Sequence, residues 1–381
     1  MLKKIIAITL SLAFLTVPVY AEPPAIDAKS YILMEASTGT VLSENNSEEP
    51  LPPASVTKIM TLLLIYDSVD RGKIKWDDMV TVSEHAASMG GSQIFLEPNE
   101  QQSVETLTKS IAIASANDAA VAMAEFIAGS EEGFVSMMNE KAQELGMKNT
   151  TFVNACGLDA EGHKMSAKDI ALMSRELITK YPDIKKYTTT WQDTITHTTS
   201  KGTTEFGLTN TNKLIKWYKD ATGLKTGSTS EALYCLSGTA ERDGMELIAV
   251  VMAAPDPKVR FQTTMKLLDY GFANYRLQSG KAAGEIVGKV PVYKGMLDTV
   301  DGAVASPVNI VTPKENKAEL TSKTEFVESI NAPVKKGDKI GEIIYYTNNK
   351  EIARANIIAN EDVEKANLTK NISRLLQFWL S

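Results

Sequence analysis

The sequence predicts an α+β protein: an antiparallel sheet flanked by helices, with a helical subdomain, followed by a small β-rich domain. Three observations predict it. Alternating strand patterns open and close the first 277 residues, the text between them carries helical periodicity, and past residue 275 short alternating runs are broken by Gly, Pro and Asn pairs. At 381 residues the chain is also too long for one ordinary domain.

The first residues, MLKKIIAITLSLAFLTVPVYAEPP, set Lys3 and Lys4 before an apolar run over 5–19 and end in the small-x-small site Val19-Tyr20-Ala21. This is the pattern of a secretory signal peptide, residues 1–21. The run is short for a full membrane span. Its removal takes both lysines and lowers the net charge from −7 to −9. An exported chain this acidic is a poor candidate for nucleic-acid binding, which needs basic surface against phosphates. Two cysteines, Cys156 and Cys235, are too few for a disulfide framework. Their small and apolar neighbours favour buried free thiols, with one disulfide as the alternative.

KSYILMEASTGTVLSENN alternates, turns at Thr38-Gly39 and returns, so a hairpin comes first. Residues 56–70, VTKIMTLLLIYDSVD, are apolar on most faces, which predicts a centrally buried helix stopped at Arg71-Gly72. Further helices are expected over 104–114, 119–128, 133–145 and 167–179. The threonine-rich text of 185–219 predicts strands and loops. TGLKTGSTSEALYCLSGTAERDGMELIAVVMAA gives three strands, the last two joined at Asp243-Gly244, and a helix returns over 259–275. Residues 22–277 thus form the first domain and 278–360 the β-rich one. In the last segment, 361–381, Leu368, Ile372, Leu375, Leu376 and Trp379 share one helical stripe with Lys370 and Arg374 off it. About 20 Å of helix is too short to cross a bilayer but suited to lying in its surface. Docking on the β-rich domain is the alternative.

Chemistry is foreshadowed in LPPASVTKIM, residues 51–60, where Ser55 and Lys58 lie three apart at the start of the buried helix. Positions i and i+3 share a helix face, so the Lys58 amine can reach the Ser55 hydroxyl. A buried lysine must be paired or give up its charge. A second positive charge nearby would lower its pKa further, and Ser55 at a helix start offers its own N–H to an oxyanion. There is no G-x-S-x-G, no H-E-x-x-H and no phosphate-cradling glycine loop, and His85, His163 and His197 are the only histidines. A serine nucleophile would therefore need lysine as its base, and metal hydrolysis is disfavoured. The spacing alone is weak, since S-x-x-K arises by chance on the order of once or twice in such a chain.

Two more triplets raise its weight. Sixty positions on, a loop between helices reads Ser115-Ala116-Asn117, and 110 positions after Ser115 a strand reads Lys225-Thr226-Gly227. Alone, the first could be helix caps and the second a strand entering a turn. Together, in this order, they resemble the penicillin-interacting serine acyl-enzyme superfamily with its motifs S-x-x-K, S-x-N and K-T-G. More specifically the chain resembles the low-molecular-mass penicillin-binding proteins that are D-alanyl-D-alanine carboxypeptidases. YILMEASTGTVL, PPASVTKIMT, GGSQIFLEP, IAIASANDAAVAMAE and GLKTGSTSEALYC carry the likeness over nearly the whole mature chain. One departure is Ala116, where the family commonly has glycine.

The resemblance implies a β-lactamase/transpeptidase-like first domain and a serine peptidase needing neither metal nor cofactor. It implies that Ser55 attacks the carbonyl between two terminal D-alanines with Lys58 as base, and that Ser115 relays a proton toward the leaving amine. Asn117 would hold the substrate amide, and Lys225 and Thr226 the terminal carboxylate. Gly227 lets substrate backbone lie close, the N–H groups of Ser55 and Ser228 form the oxyanion hole, and Arg260 helps grip the carboxylate unless it serves a surface ion pair. The implied partners are peptidoglycan stem peptides ending in D-Ala-D-Ala, β-lactams that acylate Ser55, and the outer face of the cytoplasmic membrane. The E-x-x-L-N stretch of class A β-lactamases is missing between the second and third motifs. A D,D-endopeptidase on cross-linked peptides and a penicillin-recognising module without turnover remain the alternatives.

Overall fold

The computed structural model describes residues 25–315 and 320–380, so the expected signal peptide lies outside the described residues. Two strands at the start of the chain and three much later make one antiparallel sheet. Its order is Val41–Asn45, Ser30–Glu35, Met245–Ala254, Leu233–Arg242 and Ala221–Thr229. Ser30–Glu35 pairs with Met245–Ala254, so the first strand and the last of the domain meet in mid-sheet. Both are buried along most of their length, because each face of the sheet is covered. The helix Pro257–Asn274 covers one face through Phe261, Leu267, Leu268 and Phe272, packed with Leu33, Leu236 and Leu247. Ala167–Lys180 lies on the other, where the helical region builds its own core.

The helix Lys58–Asp70 runs through the middle of that core with every residue from Lys58 to Ser68 buried. Lys58, Met60 and the run Leu62-Leu63-Leu64 are good helix formers without branching at Cβ, and neither Gly nor Pro interrupts it. Its far end is held by charge. The Asp67 carboxylate accepts from Lys180 Nζ at 2.8 Å and Tyr181 OH at 2.5 Å, and Lys141 Nζ lies 2.9 Å away. Burial alone would raise the Asp67 pKa, but these three partners hold it down at about 2.

The strand Tyr275–Ser279 follows the helix Pro257–Asn274 directly and runs across the expected boundary at 277/278. Beyond it a six-stranded sheet encloses Val290, Val300, Ile340, Ile343, Tyr345 and Ile357. The closing helix, Leu368–Leu380, turns its cations toward this domain: Arg374 donates to Gly295 O at 2.8 Å and pairs with Asp298, which also faces Lys370 at 3.3 Å. Leu368, Ile372, Leu375, Leu376 and Trp379 are exposed. Among the described residues no helix is long and apolar enough to cross a membrane.

Replacing Asp67 with Asn should remove the carboxylate that faces the buried Lys141 amine and the exposed Lys180 amine, and lower stability at pH 7 by about 3 kcal/mol, read from denaturant midpoints. Because the folded pKa is depressed, the carboxylate's contribution is present above its unfolded value and lost as pH falls toward 2. The gap between parent and variant should therefore narrow from about pH 4 downward; a gap independent of pH would dismiss the charge argument.

Candidate active site

Ser55 sits on a 3-10 turn, Ala54–Thr57, that runs straight into the helix Lys58–Asp70. An α-helical first turn was the expectation. The tighter turn, near three residues per revolution, stacks Ser55 and Lys58 along one edge, and Lys58 Nζ lies 2.9 Å from Ser55 Oγ. Lys58 is wholly buried. Its amine also donates to Asn117 Oδ1 and to the carbonyl of Cys156, each at 2.6 Å. Both partners are pure acceptors. A neutral amine has two N–H bonds and one lone pair, so with both N–H groups committed the lone pair is left facing the Ser55 hydroxyl. Burial lowers the Lys58 pKa to about 8, against an opposing pull from Cys156 and Asp118.

The second wall begins where the helix Val104–Ala114 ends at Ser115, whose φ of 62° is left-handed. That conformation is uncommon outside glycine and breaks the chain sharply, so the helix Asn117–Ala128 starts afresh two residues on. Ala116, between them, is buried with an ordinary extended backbone, so its methyl group is accommodated. Asn117 is pinned from both sides: its N–H reaches Ser92 O at 2.7 Å and its Nδ2 reaches Gly90 O at 2.7 Å. Next to it the buried Asp118 carboxylate accepts from the N–H groups of Ile94 and Leu96. GGSQIFLEP thereby straps the back of the site.

The third wall is the strand Ala221–Thr229. Lys225, also buried, donates to Ser115 Oγ at 2.9 Å and to Thr226 O at 3.0 Å. Its pKa is pushed well down, first by burial and then by Lys58 and Arg260. Of the two causes expected to depress Lys58, burial leads; Lys225 is depressed by burial and by the neighbouring charges of Lys58 and Arg260. Gly227 permits the close approach: a Cβ there would lie 2.8 Å from Pro53 O and 3.0 Å from Ser55 N. Ser228, next along, is exposed. Arg260 is buried beneath this strand, donating from Nη1 to Gly227 O at 3.0 Å and Cys235 O at 3.2 Å, with its Nε buried and unpartnered. Among the described residues it makes no ion pair, so the surface alternative does not hold. Burial lowers its pKa to about 10, and it stays charged near neutrality.

Several supporting groups escaped sequence reasoning. Cys156 contributes its main-chain carbonyl, which no side-chain pattern signals. The loop behind it depends on Gly157, at φ 84°, where a Cβ would lie 2.0 Å from Ala54 O. His163 accepts from Val153 N–H at Nδ1, so its Nε2 proton points to Thr57 Oγ1, 2.9 Å away. Burial holds His163 neutral with a pKa near 4, propping the turn without touching Ser55. Both cysteines are buried free thiols.

Residues 18–256 match the family model D-alanyl-D-alanine carboxypeptidase. The chain belongs to this family. Residues 275–365 match the model of the penicillin-binding protein 5 C-terminal domain. The carboxypeptidase is 46% identical over 356 residues to D-alanyl-D-alanine carboxypeptidase DacF of Bacillus subtilis (strain 168), covering 93% of this chain and 90% of that one. Penicillin binding protein 5 from Haemophilus influenzae superposes with a TM-score of 0.79 at 34% identity, over 91% of this chain and all of the other. Penicillin-binding protein D2 from Listeria monocytogenes, solved in the ampicillin bound form, aligns at 34% identity and a TM-score of 0.57, over 65% of this chain and 98% of that one.

With Lys58 poised near 8, its neutral form is lost as pH falls below that value. Acylation of Ser55 by a fluorescent penicillin should slow about tenfold per unit below pH 7 and level off above pH 8. A rate that stays flat from pH 6 to 9 would remove Lys58 as the base.

Proposed function

We propose that this D-alanyl-D-alanine carboxypeptidase works through an acyl-enzyme on Ser55, and that Lys58 is its general base. The single observation that carries the reading is the commitment of both Lys58 N–H groups to Asn117 Oδ1 and Cys156 O, with Ser55 Oγ the remaining neighbour. As Ser55 Oγ bonds to the carbonyl carbon of the D-Ala–D-Ala link, its proton passes to Lys58. The oxyanion that forms faces the N–H groups of Ser55 and Ser228. The C–N bond then breaks, and the proton taken up by Lys58 reaches the departing amine of D-alanine through Ser115, which is held by Lys225 and accepts one proton as it gives up its own. Asn117 keeps one Nδ2 proton beyond its bond to Gly90 for the substrate backbone. Water completes the cycle by hydrolysing the ester.

Substrate choice follows from charge. Among the described residues neither the buried Arg260 cation nor the buried Lys225 amine has a carboxylate partner, and Thr226 stands beside them, an arrangement suited to a free terminal carboxylate, which would favour the charged form of Lys225. The same groups would receive the carboxylate of a β-lactam, whose ring carbonyl would acylate Ser55. Stem peptides of peptidoglycan supply the terminal D-Ala-D-Ala, which places the work outside the cytoplasmic membrane and fits the signal-like first 21 residues. The tail fits too: Lys370 and Arg374 are spent on Asp298, and the opposite stripe of Leu368, Ile372, Leu375, Leu376 and Trp379 is left outward, ready for the membrane surface.

Free D-alanine released from a peptide ending in D-Ala-D-Ala is the direct test. The parent should turn over, Ser55→Ala should lose at least about a thousandfold, and penicillin should add its mass to the peptide bearing Ser55. Release that persists in the alanine variant would reject the mechanism. Deleting residues 366–381 should free the protein from lipid vesicles while D-alanine release continues; retention on vesicles would show that the anchor lies elsewhere.

A further inference from the structure

We infer that Thr211 is a positioning residue for substrate recognition: its hydroxyl turns that of Thr226 toward the terminal carboxylate. The two oxygens, Thr211 Oγ1 and Thr226 Oγ1, are 2.7 Å apart. Thr226 is almost buried and Thr211 half-buried. The inference rests on the carboxylate-binding role proposed above for Thr226.

A hydroxyl has one proton, so the direction of this bond decides what Thr226 presents. If Thr226 donated to Thr211, it would offer only lone pairs to an anion. With a carboxylate in the cleft the other sense is favoured, Thr211 donating to Thr226 and Thr226 to the carboxylate oxygen. Such a chain also polarises the second bond. Orienting a hydroxyl this way is useful only if its partner is rigid, and the loop carrying Thr211 is tightly held. Asn210 donates from its backbone to Trp191 O at 2.8 Å and from Nδ2 to Thr190 O at 2.8 Å, while its Oδ1 accepts from Asn212 N–H at 2.8 Å. Thr211 itself donates its N–H to Ile113 O at 3.2 Å. Ile113 lies two residues before Ser115, so Thr211 joins the wall that carries Ser115 to the wall that carries Thr226.

The experiment compares two substrates in each enzyme: a peptide ending in D-Ala-D-Ala with a free carboxylate, and the same peptide ending in the carboxamide. The ratio of their kcat/KM values isolates recognition of the anion from general damage to the fold. In Thr211→Val the preference for the carboxylate should fall about tenfold, mostly through KM, and in Thr211→Ser it should return to within about twofold of the parent. Acylation by penicillin, which carries a carboxylate, should weaken in parallel. An unchanged preference in Thr211→Val, or a serine variant as impaired as the valine one, would overturn the inference. Thr226→Val separates the two levels of argument. If it too keeps the full preference, the carboxylate-binding role of Thr226 fails; if it loses the preference while Thr211→Val does not, only the role of Thr211 fails.

Discussion

Burial of one lysine amine against one serine hydroxyl is the constraint on which the rest of this molecule depends. A fully buried ammonium is costly unless its protons are satisfied. Here Asn117 Oδ1 and Cys156 O satisfy two of them and Ser55 Oγ receives the remaining direction. Each partner comes from a different part of the chain, and each must be delivered to within hydrogen-bond distance. That requirement accounts for the short 3-10 turn under Ser55, the left-handed break at Ser115 before Asn117, and the glycine that lets the Cys156 loop lie against Ala54.

The electrostatics follow from the same crowding. Lys58, Lys225 and Arg260 gather in one buried region, and Asp118, the nearest acid to act on Lys58, is occupied by backbone N–H groups of the 94–96 strap. The region therefore gathers three basic groups with no ion-pairing carboxylate among the described residues. In the proposed reading a substrate that arrives with a carboxylate completes it, and the burial that lowers Lys58 also withholds counter-charges from its neighbours.

The sheet, covered on both faces, and the buried central helix make this possible. The strand Ala221–Thr229 lies at the sheet edge, where its neighbour across the gap is the turn that carries Ser55 and not another strand. An edge usually needs protection; here the catalytic cleft occupies it. Asp67 secures the far end of the helix to Lys141 and Lys180, so the serine end is held in register with the strand.

Much of this was legible in the chain itself. The order of strand pair, helices, three strands and helix follows from periodicity, because a buried face must repeat every two or 3.6 residues whatever surrounds it. The site triplets Ser55/Lys58, Ser115/Asn117 and Lys225/Thr226 were legible because their chemistry needs particular side chains at particular spacings. The sequence by itself therefore determined the class of fold, the family, and the residues proposed as nucleophile and base. Only the tertiary structure decided that Cys156 acts through its carbonyl, that Thr211 meets Thr226, that Arg260 is buried beneath its strand, and that burial more than a neighbouring charge lowers Lys58. Those facts depend on backbone atoms and on the meeting of segments as distant as residues 58 and 156, and local patterning carries no record of either.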